Sequence, residues 1–292
     1  MKVSAIVLMS LLFGTTSAQD YAFKVLVNKG QNAIKAGNDW LPIKVGSTLT
    51  SGDELKISQN GYLGLVHFSG RPLEVKEAGQ HKVVELAAKI KGGSSVLNKY
   101  TDFILSTNEV RENKLTATGG VYRGDFAIKL FLPDAEHSIV FNDQINIAWS
   151  GLPDTKTFVV SFNSMFGDEL QKLEVQDTTL TINLNGSAFA NEDNILVEVS
   201  SREDNSKTSE RLMLKKLSPA DKKRINAAHS GIADQIKEQT ALNLLILAGF
   251  YENHSLLIDA ATAYQKAIRL APNVPEFRTA YNDFISRSGM RD

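Results

Sequence analysis

The sequence predicts a multidomain β + α chain: a small β domain with short helices, a β-sandwich, and a C-terminal helical domain. Three observations carry this. Short apolar strands separated by Gly, Asn and Pro turns fill the first third. Alternation at spacing two returns from Ala127 to Lys216. After Ser218 the apolar spacing changes to three and four. The 292 residues allow about two domains, or three small ones. With 42 % hydrophobic and 22 % charged residues, the composition excludes wholesale disorder, collagen and coiled-coil rods. A net charge of −1 supplies no field for nucleic acid or anionic lipid, so no nucleic-acid partner is expected. The absence of cysteine excludes disulfide scaffolds, thiolate zinc sites, haem c attachment and a cysteine nucleophile.

Residues 1–18 read as a secretory signal peptide. Lys2 gives the positive start, Ala5 to Phe13 is apolar except for Ser10, and Gly14 to Ala18 is small and polar before Gln19. No cysteine follows Ala18, so no lipid anchor is expected. The longest largely apolar run elsewhere, Ala241 to Phe250, falls short of the roughly 20 residues a membrane span needs, and no transmembrane segment is expected. An exported chain without cysteine fits a bacterial envelope, which places it in the periplasm or at the outer membrane or cell surface.

Residues 19–108 form the first β domain. Strands are expected at Phe23–Val27, Glu54–Ile57, Tyr62–Phe68 and Leu73–Val75, with Trp40 to Ile43 extended because the residue before Pro42 avoids helix. Trp40 and the alternating Leu49, Leu55, Ile57, Leu63, Leu65 and Phe68 are expected on the inner face of a small barrel or sandwich. Val83 to Ile90 and Ser95 to Leu105 read as helices separated by Gly92-Gly93. The phrase Trp40-x-Pro42-Ile43-x-x-Gly46-x-x-Leu49-x-x-Gly52-Asp53-x-Leu55-x-Ile57 resembles the core signature of FecR-type periplasmic β domains. Ser69-Gly70 stands where that family usually has Asp-Gly. Because the family is a module of signalling and scaffolding proteins, the resemblance implies a fold and no site residues.

Residues 109–124 read as a polar linker with a Gly119-Gly120 pair. Arg123-Gly124-Asp125 spells a tripeptide that adhesion receptors bind, and reads first as a chance occurrence at a strand start. In residues 125–216, six or seven strands are expected. Their anchors are Ile128/Leu130/Leu132, Ile145/Ile147/Trp149, Phe158/Val160/Phe162, Leu180/Ile182/Leu184, Ile195/Val197/Val199 and Leu212/Leu214. That rhythm argues for an antiparallel sandwich. Ile145-x-Ile147-x-Trp149 followed by Gly151-x-Pro153 resembles an Ig- or fibronectin type III-like domain, in which such a Trp anchors the core. Asp177-Thr178-Thr179 resembles an acceptor for O-linked sugar and reads first as a β-turn.

Residues 217–292 are helical. Ser218-Pro219-Ala220-Asp221 is a helix start, expected to lead a helix to about Glu238. Leu244, Leu247, Ala248, Tyr251, Ala260, Tyr264, Ala267 and Pro272 follow at spacings of 3, 1, 3, 9, 4, 3 and 5, with Asn253-His254 as the turn. These spacings resemble a tetratricopeptide repeat, with Ala248 where Gly and Leu244 where Trp are commoner. Pro275 starts a closing helix carrying Phe277, Tyr281 and Phe284 on one face. The resemblance implies a groove lined by Leu245, Gly249, Glu252 and Asn253, which are the candidate partner-binding residues. A short apolar or helical segment of a protein partner is the expected occupant.

No chemistry-bearing constellation emerges. His67, His81, His137, His229 and His254 are scattered, and no phosphate loop, nucleophile elbow or zinc helix is spelled out. No catalytic residue, cofactor or metal is therefore assigned. The function expected is that of a non-enzymatic exported envelope protein. It would act as a scaffold or accessory subunit of a protein assembly through its helical tail. The alternative is a ligand- or glycan-binding protein using the loops Gly151 to Thr157 and Gly186 to Asp193, where Phe189 is the aromatic.

Overall fold

The computed structural model describes residues 21–93, 96–113 and 126–290. The expected signal peptide and Arg123-Gly124-Asp125 lie outside those residues. Among the described residues the architecture is mixed: several sheets, mostly antiparallel, and six α-helices.

The first unit contains β1 (Phe23–Lys29), β2 (Ala33–Ala36), β3 (Asp39–Pro42), β4 (Thr48–Leu49), β5 (Glu54–Ile57), β6 (Tyr62–His67), β7 (Pro72–Val75) and β8 (Gly79–Lys82), then α1 (Val83–Ala88) and α2 (Val96–Asn113). Two four-stranded antiparallel sheets, β4-β1-β6-β7 and β3-β2-β5-β8, share one core and do not close into a barrel. Phe23, Val25, Leu63 and Leu65 meet Leu55 and Ile57 there. β6 is buried along its whole length, the mark of a strand covered on both faces. Leu63 and Leu65 face the sheet core, whereas Tyr62 and Val66 join the core of the helical unit. A register shift between Val25 and Val27 lets β1 follow, turning Leu26 and Val27 toward the helices. Gly64 permits this packing, because a Cβ there would sit 2.9 Å from Leu242 Cδ1.

Two expected inner-face aromatics are not in that core. Trp40 pairs with Lys35 on the opposite sheet face and is only half-buried, with the Lys35 and Lys56 ammonium groups 6.0 and 5.8 Å from its ring. Phe68 follows the end of β6 and is 43 % exposed. The second helix also runs farther than the sequence predicts, so that 109–113 of the expected linker are helical.

The second unit contains β9 (Ile139–Val140), β10 (Gln144–Ala148), β11 (Phe158–Asn163), β12 (Glu169–Val175), β13 (Thr179–Asn183), β14 (Asn194–Ser201) and β15 (Leu212–Lys216). A five-stranded sheet, β12-β11-β14-β15-β9, faces the pair β10-β13 across one core, in which Trp149 is 2 % exposed. The sheet is not wholly antiparallel, since β9 lies parallel to β15. Ile128, Leu130 and Leu132 are buried as expected, but only isolated bridges, Ile128 to Ser209 and Leu130 to Trp149, replace the strand.

The helical unit comprises α3 (Pro219–Ala233), α4 (Ala241–Asn253), α5 (Leu257–Leu270) and α6 (Pro275–Arg287). Ser218 Oγ accepts the Asp221 N–H at 3.2 Å and starts α3, which ends five residues before the expected Glu238. Ten of the thirteen residues of α4 are buried, so it is a central helix rather than an amphipathic surface one. α2, the β1-β6-β7 face and α5 surround it, and α5 in turn packs on β9 and β10. The helical unit is therefore wedged between the two β units.

Candidate docking surface

Hydrogen-bonded carboxylates fix the wedge on both sides, one fully buried and one partly. Asp259, on α5, is 0 % exposed, and its two oxygens accept the backbone N–H groups of Phe141 and Asn142, each at 2.9 Å. The Asn142 side-chain amide donates to the same carboxylate at 2.7 Å and to the Tyr251 hydroxyl at 2.8 Å. One turn on, Thr262 Oγ1 accepts the Asn146 N–H at 2.9 Å. Burial pushes the Asp259 carboxyl up to about 6, although the donated hydrogen bonds favour the anion. On the other side, Glu74 accepts the Leu242 N–H at the start of α4 at 2.9 Å and the Tyr62 hydroxyl at 2.7 Å. Lys76 lies 2.5 Å from its second oxygen. Burial works against the Glu74 anion, but Lys76, Tyr62 and Leu242 outweigh it and hold the carboxyl below its usual range.

The expected partner groove is not open. Leu245 is 3 % exposed, and a Cβ on Gly249 would lie 2.9 Å from Ile104 on α2 and 3.3 Å from the Tyr100 carbonyl. The chain's own α2 covers this face. Glu252 has a side chain only 6 % exposed and accepts from the Tyr264 hydroxyl at 2.6 Å and Arg287 at 2.5 Å, tying α4, α5 and α6 together. Asn253 alone of the four is exposed. Leu245, Gly249 and Glu252 are thus packing residues. The small and apolar types that suit a groove also suit a helix crossing, and the sequence does not distinguish them.

Clefts open at the seams of the wedge. One of about 290 Å³, lined by His229, Tyr251, Asp259 and Lys266, lies where α4 and α5 meet the 142–144 segment. Another of about 570 Å³ lies between Arg71, Glu74 and Lys89 to Lys91 on one side and Asp234 to Thr240 on the other. A third, of about 390 Å³, runs between β10-β13 and the α5–α6 pair. Its lining is mixed, with Ile268 and Tyr281 apolar, Asn146, Thr178, Thr179, Thr181 and Gln265 polar, and Arg269 and Arg278 on its helical wall.

The loops expected to hold a ligand have lost their aromatic, since Phe189 is 1 % exposed and packs edge-on against Phe162 at 5.4 Å. The most exposed phenylalanine among the described residues lies elsewhere. Phe166, at the β11–β12 turn, is 94 % exposed beside Met165 at 50 %. The sequence marks the turn through Gly167 but gives no sign that these apolar residues face outward.

The histidines serve packing and turns. His67 Nδ1 lies 2.8 Å from the Ser69 hydroxyl across a tight turn, with the ring packed against Phe23 and Phe68. His229 and His254 flank Phe250 at 5.7 and 4.6 Å, and burial lowers the pKa of both. Among the described residues no group of three or more His, Cys, Asp or Glu is placed to hold a metal ion. No helix there is long and apolar enough to cross a membrane. No protein-family model matches the sequence, and no curated protein matches it.

Proposed function

We propose that this chain is a non-enzymatic, exported envelope protein that serves as a scaffold or accessory subunit of a protein assembly. The observation that carries the reading is the pair of seam carboxylates, partly buried Glu74 and fully buried Asp259, which hold the central helical unit to both β units. A scaffold must keep separate surfaces at fixed positions, and hydrogen-bonded carboxylates at both seams do this, most of all at Asp259, where breaking the seam strands a buried charge. FecR-like, fibronectin-like and tetratricopeptide-like modules, read from the sequence motifs, belong to the same proposal. With the helical groove filled by α2, docking falls to the exposed surfaces of α5, α6 and the sandwich. The apolar leader at residues 1–18 and the lack of cysteine support the envelope setting.

The test is affinity purification of the tagged full-length protein from solubilised envelope, quantified by mass spectrometry against an unrelated tagged exported protein. A partner recovered in stoichiometric amount supports the reading. Recovery of the bait alone, under conditions that preserve known envelope complexes, overturns it.

A further inference from the structure

We propose that the Met165-Phe166 tip of one molecule docks into the cleft between β10-β13 and α5–α6 of a second copy, joining molecules head to tail. The tip is an anomaly for a folded chain. A large aromatic side chain 94 % exposed, next to a methionine 50 % exposed, is apolar surface that water disfavours. It is also held in place. The Ser164 hydroxyl accepts the N–H groups of Phe166 and Asp168, each at 3.1 Å, and donates to the Asp168 carboxylate at 3.1 Å. Ser164 N–H and carbonyl close the turn on the Asp168 carbonyl at 2.8 Å and the Gly167 N–H at 3.1 Å, and Gly167 takes the positive φ of 95° that the turn needs. A pre-shaped aromatic knob loses little conformational freedom on docking, which is the property of an interface anchor.

The charges around the knob select the partner. Asp168 and Glu169 follow it directly, both exposed, so the tip carries its apolar pair beside two carboxylates. Acidic flanks oppose an anionic lipid surface and favour a cleft that offers apolar and basic groups together. This chain supplies one. The cleft of about 390 Å³ sets Ile268 and Tyr281 beside Arg269 and Arg278 on its helical wall, opposite a largely polar wall that includes Asn146 and Thr181. That volume lies within the range of about 300–1,000 Å³ typical of binding clefts. Both arginines are exposed, and neither is ion-paired among the described residues. Asp177 is the carboxylate on the lining, so two arginines against one carboxylate leave the cleft net positive toward an incoming Asp168-Glu169 pair. Knob and cleft lie on different elements, so the contact is heterologous and extends into chains or rings rather than stopping at a symmetric dimer.

The experiment is sedimentation velocity on the full-length protein over a concentration series, with two variants. Phe166→Ala removes the knob and leaves the cleft, whereas Arg278→Glu spoils the cleft and leaves the knob. Both positions are exposed, and circular dichroism checks that each variant is folded. The wild type is expected to show concentration-dependent association that weakens with salt, and each variant alone to associate about tenfold more weakly or not at all. Mixing the variants is decisive. One intact knob and one intact cleft remain, so the mixture forms heterodimers and nothing larger. A wild type that stays monomeric at every concentration overturns the proposal. So does association undiminished in both variants, or a mixture that does not pair. None of these outcomes bears on whether other envelope proteins bind the chain.

Discussion

The Asp259 carboxylate, on a helix of the C-terminal unit, accepts the backbone N–H of Asn142, 117 residues earlier in the chain, at 2.9 Å. It accepts the Phe141 N–H at the same distance, so a single buried side chain satisfies two consecutive backbone donors between β9 and β10 of the sandwich. Backbone donors buried without an acceptor are costly, and here the acceptor comes from another unit.

Replacing Asp259 with Ala leaves the Phe141 and Asn142 N–H groups unpaired and is expected to cost about 2–5 kcal/mol, measured by urea unfolding. Asp259→Asn keeps one acceptor oxygen and is expected to cost about 1–3 kcal/mol.

The two seam carboxylates are expected to give opposite pH dependences. Asp259 titrates at about 6 when folded against an ordinary 3.8, so between those values the folded state binds the extra proton. Its contribution therefore makes the protein more stable as pH falls from about 6 toward 4, and Asp259→Asn removes that rise. Glu74 is held low when folded, so its contribution is present above the unfolded carboxyl range and lost as pH falls through the folded value. Glu74→Gln is therefore expected to destabilise most at neutral pH and least in acid. Denaturation midpoints across the acid range check both signs, and parallel pH profiles for the two variants would contradict the assignment.

At the filled groove, Gly249→Arg is expected to prevent native packing, since even a Cβ meets Ile104 at 2.9 Å. Gly249→Ala should cost about 1–3 kcal/mol through overpacking, offset by about 1 kcal/mol of helix propensity. Asn253→Ala, on the exposed end of α4, should stay within about 0.5 kcal/mol of wild type. Thermal melts rank the three, and a stable, folded Gly249→Arg protein would show that α2 does not cover this face.

Export predicts a mature protein that begins at Gln19, without the first 18 residues. N-terminal sequencing or intact mass of protein recovered from the envelope reads this directly. A product retaining Met1 to Ala18 would remove the envelope setting from the proposed function.

Local chemistry determined what the sequence could tell. Alternation at spacing two located β5, β6, β10, β11, β13, β14 and β15, and Ser218 caps α3 through its hydroxyl. Trp149 is buried where its strand pattern placed it. These features depend on a few consecutive residues, and so they are legible from one sequence. What covers a face is set by residues far apart in the chain, and only the tertiary structure decided it. Leu245 and Gly249 look the same in sequence whether a partner or α2 lies over them, and α2 comes from the far side of the sandwich in chain order. Trp40 and Phe68 fit a core pattern, yet one stands between two lysines on an outer sheet face and the other is 43 % exposed past the end of β6. Asp259 reads as an ordinary acid in the first turn of a helix until the fold brings the Phe141 and Asn142 donors to it. The hydrophobic effect is non-directional, so a pattern specifies that a face is buried but not which element buries it.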